Sequence, residues 1–328
     1  MSDRATADGR ELGARLRARD LSAAPAALNL VESRGVQARE QAELLLSELS
    51  PAALGREAPG RIFGLTGPPG VGKSSLLGRL AAGWRARGRS VAILAIDPSS
   101  RRSGGALLGD RARIERDPAD RGLFIRSTAA AGRLGGLAPA TRAAATALAA
   151  AFDVVVIETV GVGQSETEVA QLADAVAVVV QPGSGDVLQF LKSGIMEIPD
   201  VLVVNKSDLG QVATRTLADL RAALRSLGST GTVVIAVSSI DPPSGIDHLI
   251  AALDAHHDGL DLPARRADAR RMQALSDYAA EHGEAGLRVL GGRREVERLL
   301  RGLDAGQSVA TLRRELERRA SQAGNTDR

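Results

Sequence analysis

The sequence has no cysteine, very few aromatic residues and no long uninterrupted apolar run. Without cysteine, a disulfide framework, a thiolate metal site and a cysteine nucleophile are excluded. Aromatic residues make up 2% of the chain, so ring platforms for stacking nucleic-acid bases are nearly absent. The longest apolar stretch, residues 143–157, is interrupted by Asp153 and is too short to span a bilayer. We therefore expect neither a nucleic-acid partner nor a membrane partner.

Lysine is scarce as well. Of 42 basic residues, only Lys73, Lys192 and Lys206 are lysines. An ammonium group is compact whereas a guanidinium is planar, so each lysine in an arginine-rich chain is a candidate for a position where arginine does not fit. The alternative is that the lysines were retained by chance. Lys73 and Lys206 fall inside the motifs described below. The alternative for Lys192 is an ordinary solvated helix residue.

The overall composition is that of a globular protein. The 328 residues are 44% hydrophobic and 25% charged, with a net charge of +3. This length accommodates a nucleotide-binding domain with helical additions. Residues 1–19 are polar and charged, unlike a signal peptide, and the lack of cysteine suits a reducing compartment. We expect a cytoplasmic protein.

The central part of the chain, residues 61–256, alternates short apolar runs with helical patterns. Several runs are β-branched throughout, as in parallel strands that are buried on both faces. This alternation predicts an α/β domain with a mostly parallel sheet flanked by helices. The predicted strands are 62–66, 91–97, 123–126, 154–158, 175–181, 201–205 and 233–238.

The two flanking regions lack strand signals. Residues 1–60 predict an N-terminal helical arm, because apolar residues recur at helical spacing around Leu45 and Leu49. Residues 257–328 contain two amphipathic patterns, 293–301 and 309–319, followed by a predicted frayed tail at 322–328. This C-terminal region is either a helical cap or a dimerisation element, and we expect a homodimer.

A phosphate-binding loop follows the first predicted strand. The segment from Gly67 to Ser74 matches G-x-x-x-x-G-K-[ST] and opens a predicted helix, the context that the motif requires. The glycines let backbone N–H groups surround phosphate oxygens, and the helix N-terminus adds positive charge. Lys73 is placed to contact the β and γ phosphates, and the Ser74 hydroxyl to bind Mg²⁺. The predicted phosphate-site residues are Gly67, Pro68, Pro69, Gly70, Val71, Gly72, Lys73, Ser74 and Ser75. The α/β domain is therefore predicted to be a P-loop NTPase.

A second carboxylate signature lies at the end of strand 154–158. Glu158 ends this apolar run and Gly161 follows three residues later. A carboxylate at this edge can hold Mg²⁺ directly or through water, and the glycine N–H can contact the γ phosphate. Asp97 and Asp110 lie in positions from which they could also reach the metal, although the alternative for Asp110 is a loop acid that caps a helix.

The position after the predicted switch glycine indicates slow hydrolysis. Small GTPases carry a catalytic glutamine there, whereas this chain has Val162, and Gln164 lies further along. We therefore expect a slow basal rate that a partner accelerates.

The third motif predicts guanine recognition. Asn205-Lys206-Ser207-Asp208 follows an apolar strand and matches N-K-x-D. The Asp208 carboxylate can accept from both the N1–H and the N2 amino group of guanine, whereas adenine offers no matching donors. Asn205 is expected to tie this loop to the phosphate loop, and the Lys206 stem to pack on the base. Ser238 and Ser239 are expected to add a backbone contact to guanine O6. The predicted cofactors are GTP or GDP with Mg²⁺.

Taken with the runs beginning at Glu158 (ETVGVGQSE) and Gln181 (QPGSGD), these motifs resemble the MeaB/MMAA/ArgK family of P-loop GTPases, a branch of the SIMIBI class. The similarity covers about residues 62–249. Family members are GTP-hydrolysing chaperones that gate cofactor delivery to adenosylcobalamin-dependent acyl-CoA mutases and protect them. The resemblance implies that activity and partner here, with Mg²⁺ contacts at Ser74, Asp97, Asp110 and Glu158. It also implies a partner-facing switch at 181–192, in which Asp186, Gln189 and Lys192 relay the nucleotide state.

Three other interpretations stay open at this point. A metallochaperone GTPase of the related nickel-insertion branch would require a Cys/His cluster, and the chain offers only four histidines. A protein kinase or transport ATPase conflicts with N-K-x-D, and a non-enzymatic scaffold conflicts with intact Lys73, Ser74 and Glu158. The sequence departs from the family after residue 249, where little matches the C-terminal dimerisation arm.

Overall fold

The computed structural model describes residues 8–33, 35–97, 117, 119–129, 139–159, 165–183, 199–229 and 231–326. The chain divides into two compact units. One is an α/β unit, Gly60–Leu260, and the other is a helical unit that combines residues 8–59 with residues 261–326. The first and last segments of the chain thus belong to the same unit, an association that no sequence motif indicates. The domain boundaries predicted above, 1–60, 61–256 and 257–328, stay a proposal.

The α/β unit is built on a sheet of seven parallel strands in the order β3-β2-β4-β1-β5-β6-β7. The strands are β1 (Arg61–Thr66), β2 (Val91–Asp97), β3 (Leu123–Ala129), β4 (Val154–Thr159), β5 (Ala175–Val180), β6 (Val201–Val204) and β7 (Val233–Ala236). All seven predicted strands are confirmed, with small shifts at their ends. Because every strand runs the same way, the loops after β1, β4, β6 and β7 lie along one edge of the sheet.

Burial explains why these segments form strands. Every residue of β4, β5 and β6 is buried, as expected for a parallel sheet covered on both faces. Helices α5 (Lys73–Ala86), α6 (Pro139–Ala151), α7 (Ser165–Leu172), α8 (Gln211–Ser226) and α9 (Ile246–Asp258) accompany the strands. Trp84 on α5 is fully buried against Phe63 of β1, with ring centroids 5.8 Å apart. The phosphate loop thus joins a central strand to a well-anchored helix.

The helical unit has its own apolar core. Its helices are α1 (Gly9–Arg17), α2 (Ala24–Glu32), α3 (Val36–Glu48), α4 (Pro51–Leu54), α10 (Leu262–Val289), α11 (Arg293–Arg301) and α12 (Val309–Thr326). Leu275, Tyr278, Val296, Leu312 and Leu316 pack together in this core. The predicted helices at 293–301 and 309–319 are confirmed. The expected frayed tail is wrong as far as Thr326, because α12 continues to that residue.

Every helix in the described ranges is too short or too polar to serve as a transmembrane span.

Candidate nucleotide site

The phosphate loop connects β1 to α5 and depends on glycine at two crowded positions. Gly67 and Gly72 have φ angles of 148° and 91°, a region that favours glycine. A Cβ at Gly67 would lie 2.2 Å from the Val179 carbonyl oxygen, and a Cβ at Gly72 would lie 2.6 Å from the Asn205 amide nitrogen. Both glycines therefore allow the loop to pass close to neighbouring elements.

Lys73 begins α5 and its ammonium group points into the phosphate loop. Lys73 Nζ donates to the carbonyl oxygens of Gly67 at 2.7 Å and Pro68 at 2.9 Å. The side chain is buried, with 6% of the residue exposed. A buried ammonium group inside a glycine-rich loop is suited to binding an anionic phosphate chain. The contact of Lys73 with the β and γ phosphates stays a prediction.

Ser74 and Glu158 come together beside this loop. Ser74 Oγ donates to Glu158 Oε1 at 3.1 Å, and Glu158 is buried at the end of β4. A hydroxyl and a carboxylate oxygen are hard donors of the kind Mg²⁺ prefers, so the two residues fit the predicted metal. Asp97 ends β2, which pairs with β4 in register, with Ala95 opposite Glu158. The backbone of Asp97 therefore lies at the same edge of the sheet.

Asn205 joins the base-recognition motif to the phosphate loop. Its Nδ2 donates to the Val71 carbonyl oxygen at 2.8 Å, and its backbone N–H donates to Val180 O at 2.9 Å. Asn205 is 2% exposed. The link that the sequence predicted between the two motifs is present, and it positions the N-K-x-D segment over the start of α5.

Lys206 adopts a left-handed backbone conformation with φ of 57°, uncommon for a residue with a side chain. This conformation carries its ammonium group back to the phosphate loop, where Nζ donates to Gly70 O at 3.0 Å. Nζ also donates to Gln181 Oε1 at 2.5 Å. Lys206 thus connects the phosphate loop to the first residue after β5.

Asp208 is exposed and is held by Ser238. Ser238 Oγ donates to Asp208 Oδ1 at 2.6 Å, which fixes the carboxylate at the surface where a purine edge can approach it. The backbone N–H of Ser238 donates to Ser244 O at 3.0 Å. The predicted backbone contact to guanine O6 therefore falls to Ser239, where it stays a prediction.

Three contacts within this site were not predicted from the sequence. Arg79 on α5 binds the loop after β7, the Gln181 side chain binds Lys206, and Ser239 Oγ donates to Asn205 Oδ1 at 3.4 Å. No motif marks Arg79, because its partners lie about 160 residues away in the sequence. For Gln181, the sequence predicted only that it begins the partner-facing switch, residues 181–192.

Five predicted residues lie outside the described part of the chain: Asp110, Gly161, Asp186, Gln189 and Lys192. Their assigned roles stay predictions, as does metal binding by the Asp97 side chain.

Comparisons with known proteins show which family the chain resembles. A sequence model of the family described as methylmalonyl-CoA mutase-associated GTPase MeaB matches residues 24–284. A protein of Pyrococcus abyssi that is named a GTPase is 37% identical over 324 residues, covering 95% of this chain and 91% of its own. The Caenorhabditis elegans mitochondrial homolog of methylmalonic aciduria type A is 39% identical over 214 residues, covering 62% of this chain and 54% of its own.

A solved structure gives the same result at the level of the fold. The crystal structure of a LAO/AO transport system kinase superposes with a TM-score of 0.63 and 26% identity, covering 97% of this chain and 98% of that one. The P-loop fold predicted from the motifs is therefore confirmed. The chain belongs to the MeaB family of methylmalonyl-CoA mutase-associated GTPases and is a GTP-hydrolysing P-loop enzyme.

Proposed function

We propose that this GTPase is a chaperone that gates cofactor loading of an adenosylcobalamin-dependent acyl-CoA mutase and protects or reactivates that enzyme. The family name and the relationship to the methylmalonic aciduria protein support a mutase of the methylmalonyl-CoA type. We further propose that it acts in the cytoplasm as a homodimer with GTP or GDP and Mg²⁺ bound.

The residues of the site have distinct roles in phosphoryl transfer. Lys73 and the loop N–H groups would offset the negative charge that spreads over the phosphate oxygens, which is the main contribution such enzymes make. Ser74 and Glu158 would hold Mg²⁺, with Asp97 and Asp110 as further ligands. A bound ion would supply positive charge that offsets the charge developing on the phosphate oxygens. Gly161 would contact the γ phosphate and release it after hydrolysis.

One observation supports communication with a partner. The Lys206 ammonium group bonds both the phosphate loop at Gly70 and the side chain of Gln181. Gln181 is the first residue of the segment 181–192, in which Asp186, Gln189 and Lys192 are proposed to face the mutase. Nucleotide-dependent movement of the phosphate loop or of Lys206 therefore has a direct contact through which to reach that segment.

The test is the GTPase rate of the purified protein with and without a methylmalonyl-CoA mutase from the same organism. We expect slow basal hydrolysis and a stimulation of at least about tenfold, since partner groups raise P-loop GTPase rates by roughly 10³ or more. Lys192→Ala should keep the basal rate and lose most of the stimulation. Arg225→Ala, at an exposed position on α8, is the matched control. A fast basal rate, or equal stimulation of Lys192→Ala and the control, would contradict the proposal.

The alternative is a nickel metallochaperone, which requires a cluster of metal ligands. Among the described residues, Glu281, His282 and Glu317 are a group whose ligand atoms lie within 4.8 Å of one another. Arg313 pairs with both Glu281 and Glu317 at 3.4 Å, so this cluster already has a cationic partner. Nickel titration calorimetry separates the two functions, and tight stoichiometric binding would favour the alternative.

A further inference from the structure

The loop after β7, residues 238–241, supports the base-recognition motif from the side. Ser238 Oγ donates to Asp208 Oδ1 at 2.6 Å, and Ser239 Oγ donates to Asn205 Oδ1 at 3.4 Å. Ile240 N in turn donates to Ser238 Oγ at 3.4 Å, which helps to fix the direction of that hydroxyl. The position of this loop therefore decides where the Asp208 carboxylate lies.

Arg79 binds the same loop through two contacts. It lies on α5, the helix that begins at Lys73 and Ser74. Its Nε donates to the Ser239 carbonyl oxygen at 3.0 Å, and its Nη2 pairs with Asp241 Oδ1 at 2.9 Å. Two donors of one planar group set both the distance and the orientation of the loop, which a single ammonium group cannot do.

The two contacts of Arg79 are expected to differ in strength. The Asp241 side chain is 77% exposed, so its ion pair is screened by water and contributes little. The bond to Ser239 O is partly buried and involves a charged donor, which makes it the stronger of the two. Positioning of the loop should therefore depend on the Arg79–Ser239 bond more than on the ion pair.

We propose that Arg79 is a positioning residue for guanine recognition. It ties the helix of the phosphate loop to the loop that holds Asn205 and Asp208, so that the carboxylate meets N1–H and the N2 amino group of guanine together. This inference rests on the proposed guanine site. It predicts that loss of Arg79 weakens recognition of the base edge more than binding of the phosphates.

The test compares GDP with IDP, whose base lacks the N2 amino group, by calorimetry on purified variants. Wild type should prefer GDP because Asp208 accepts from both donors of guanine. Arg79→Ala should lower GDP affinity roughly tenfold or more, the effect of losing a hydrogen bond from a charged donor. IDP affinity should fall less, so the GDP:IDP ratio moves toward one. Arg79→Lys should restore part of the ratio, and Asp241→Asn should stay near wild type.

The outcomes separate this inference from the guanine site itself. Wild type that binds ADP as tightly as GDP would overturn both. A guanine-selective wild type together with an unchanged GDP:IDP ratio in Arg79→Ala would overturn only the role of Arg79. Equal loss of GDP and IDP would also overturn it, because that pattern indicates general destabilisation. If Arg79→Ala lowers the unfolding temperature of the nucleotide-free protein, the same comparison is made with Arg79→Met. That variant retains an aliphatic side chain in place of the arginine stem.

Discussion

The two ends of the proposed nucleotide site, a phosphate end and a base end, are formed by different kinds of chemical group. At the phosphate end, residues 67–74 with Glu158, the loop presents backbone groups and a single buried ammonium group. At the base end, residues 205–208 with 238–241, side chains bond to one another. Backbone groups and an ammonium recognise any polyphosphate, whereas an oriented carboxylate discriminates between bases. The phosphate end should therefore decide whether a nucleotide binds, and the base end should decide which one.

Removing the phosphate-end ammonium group should have the largest effect. Lys73→Ala should reduce binding of GTP by at least about 10²-fold, since charge-assisted hydrogen bonds contribute about 1.5–3 kcal/mol each. The affinities for GTP and for ATP should fall by a similar factor relative to wild type, because the change does not touch the base end. Calorimetry measures this, with thermal unfolding as the check on folding. Retained wild-type affinity for GTP would refute the role assigned to Lys73.

Changing the base-end carboxylate should alter selectivity and not general binding. Asp208→Asn replaces an acceptor by an amide that can donate to the C2 oxygen of xanthine. GTP affinity should fall by about 10²-fold or more, since sites built on such pairs reject unmatched analogues by roughly 10⁴-fold. Xanthosine triphosphate should become the preferred nucleotide in a competition assay. An unchanged order of preference would remove Asp208 from the base pocket.

Removing the support of that carboxylate should have a moderate effect. Ser238→Ala deletes the 2.6 Å bond to Asp208 and should lower GTP affinity about five- to tenfold, the net value of about 1–1.5 kcal/mol for one hydrogen bond. Ser239→Ala is the matched control, because its contact to Asn205 is longer at 3.4 Å. If Ser239→Ala lowers GTP affinity more than Ser238→Ala does, the Ser238–Asp208 bond is not the main support of the base end.

A change in the helical unit should affect neither end. Hydrogen bonds from Arg318 and then Arg319 lower the pKa of Glu315 to about 2 from the ordinary 4.5. Because the folded-state pKa lies below the unfolded one, these contacts stabilise the fold above about pH 4.5. That stabilisation disappears as the pH falls toward about 2.

Glu315→Gln should therefore lower the unfolding temperature slightly at neutral pH, and the difference from wild type should shrink below pH 4.5. Thermal unfolding across pH measures the effect. Since Glu315 lies near the surface, a large change at neutral pH would contradict its minor role. Nucleotide affinities should match wild type, which makes the variant a control for both ends.

Features that depend on neighbouring residues could be predicted from the sequence, whereas contacts between residues far apart in the sequence could not. Strand β4 and the phosphate loop are specified by local patterns, an apolar β-branched run and a glycine-rich loop before a helix. Both appear where the sequence predicts them. The Arg79 bond to Ser239 joins residues 160 positions apart, and nothing in the neighbourhood of either residue indicates the other. The motifs therefore predict the two ends of the proposed site, and the folded chain is required to show how these segments are held together.

The central claim is tested most directly by competition of GTP and ATP for the purified wild-type protein in the presence of magnesium. A site whose Asp208 carboxylate reads guanine should favour GTP over ATP by at least about 10³-fold. Equal affinity for the two nucleotides would contradict the account at its base end, while failure to bind either would contradict it at its phosphate end.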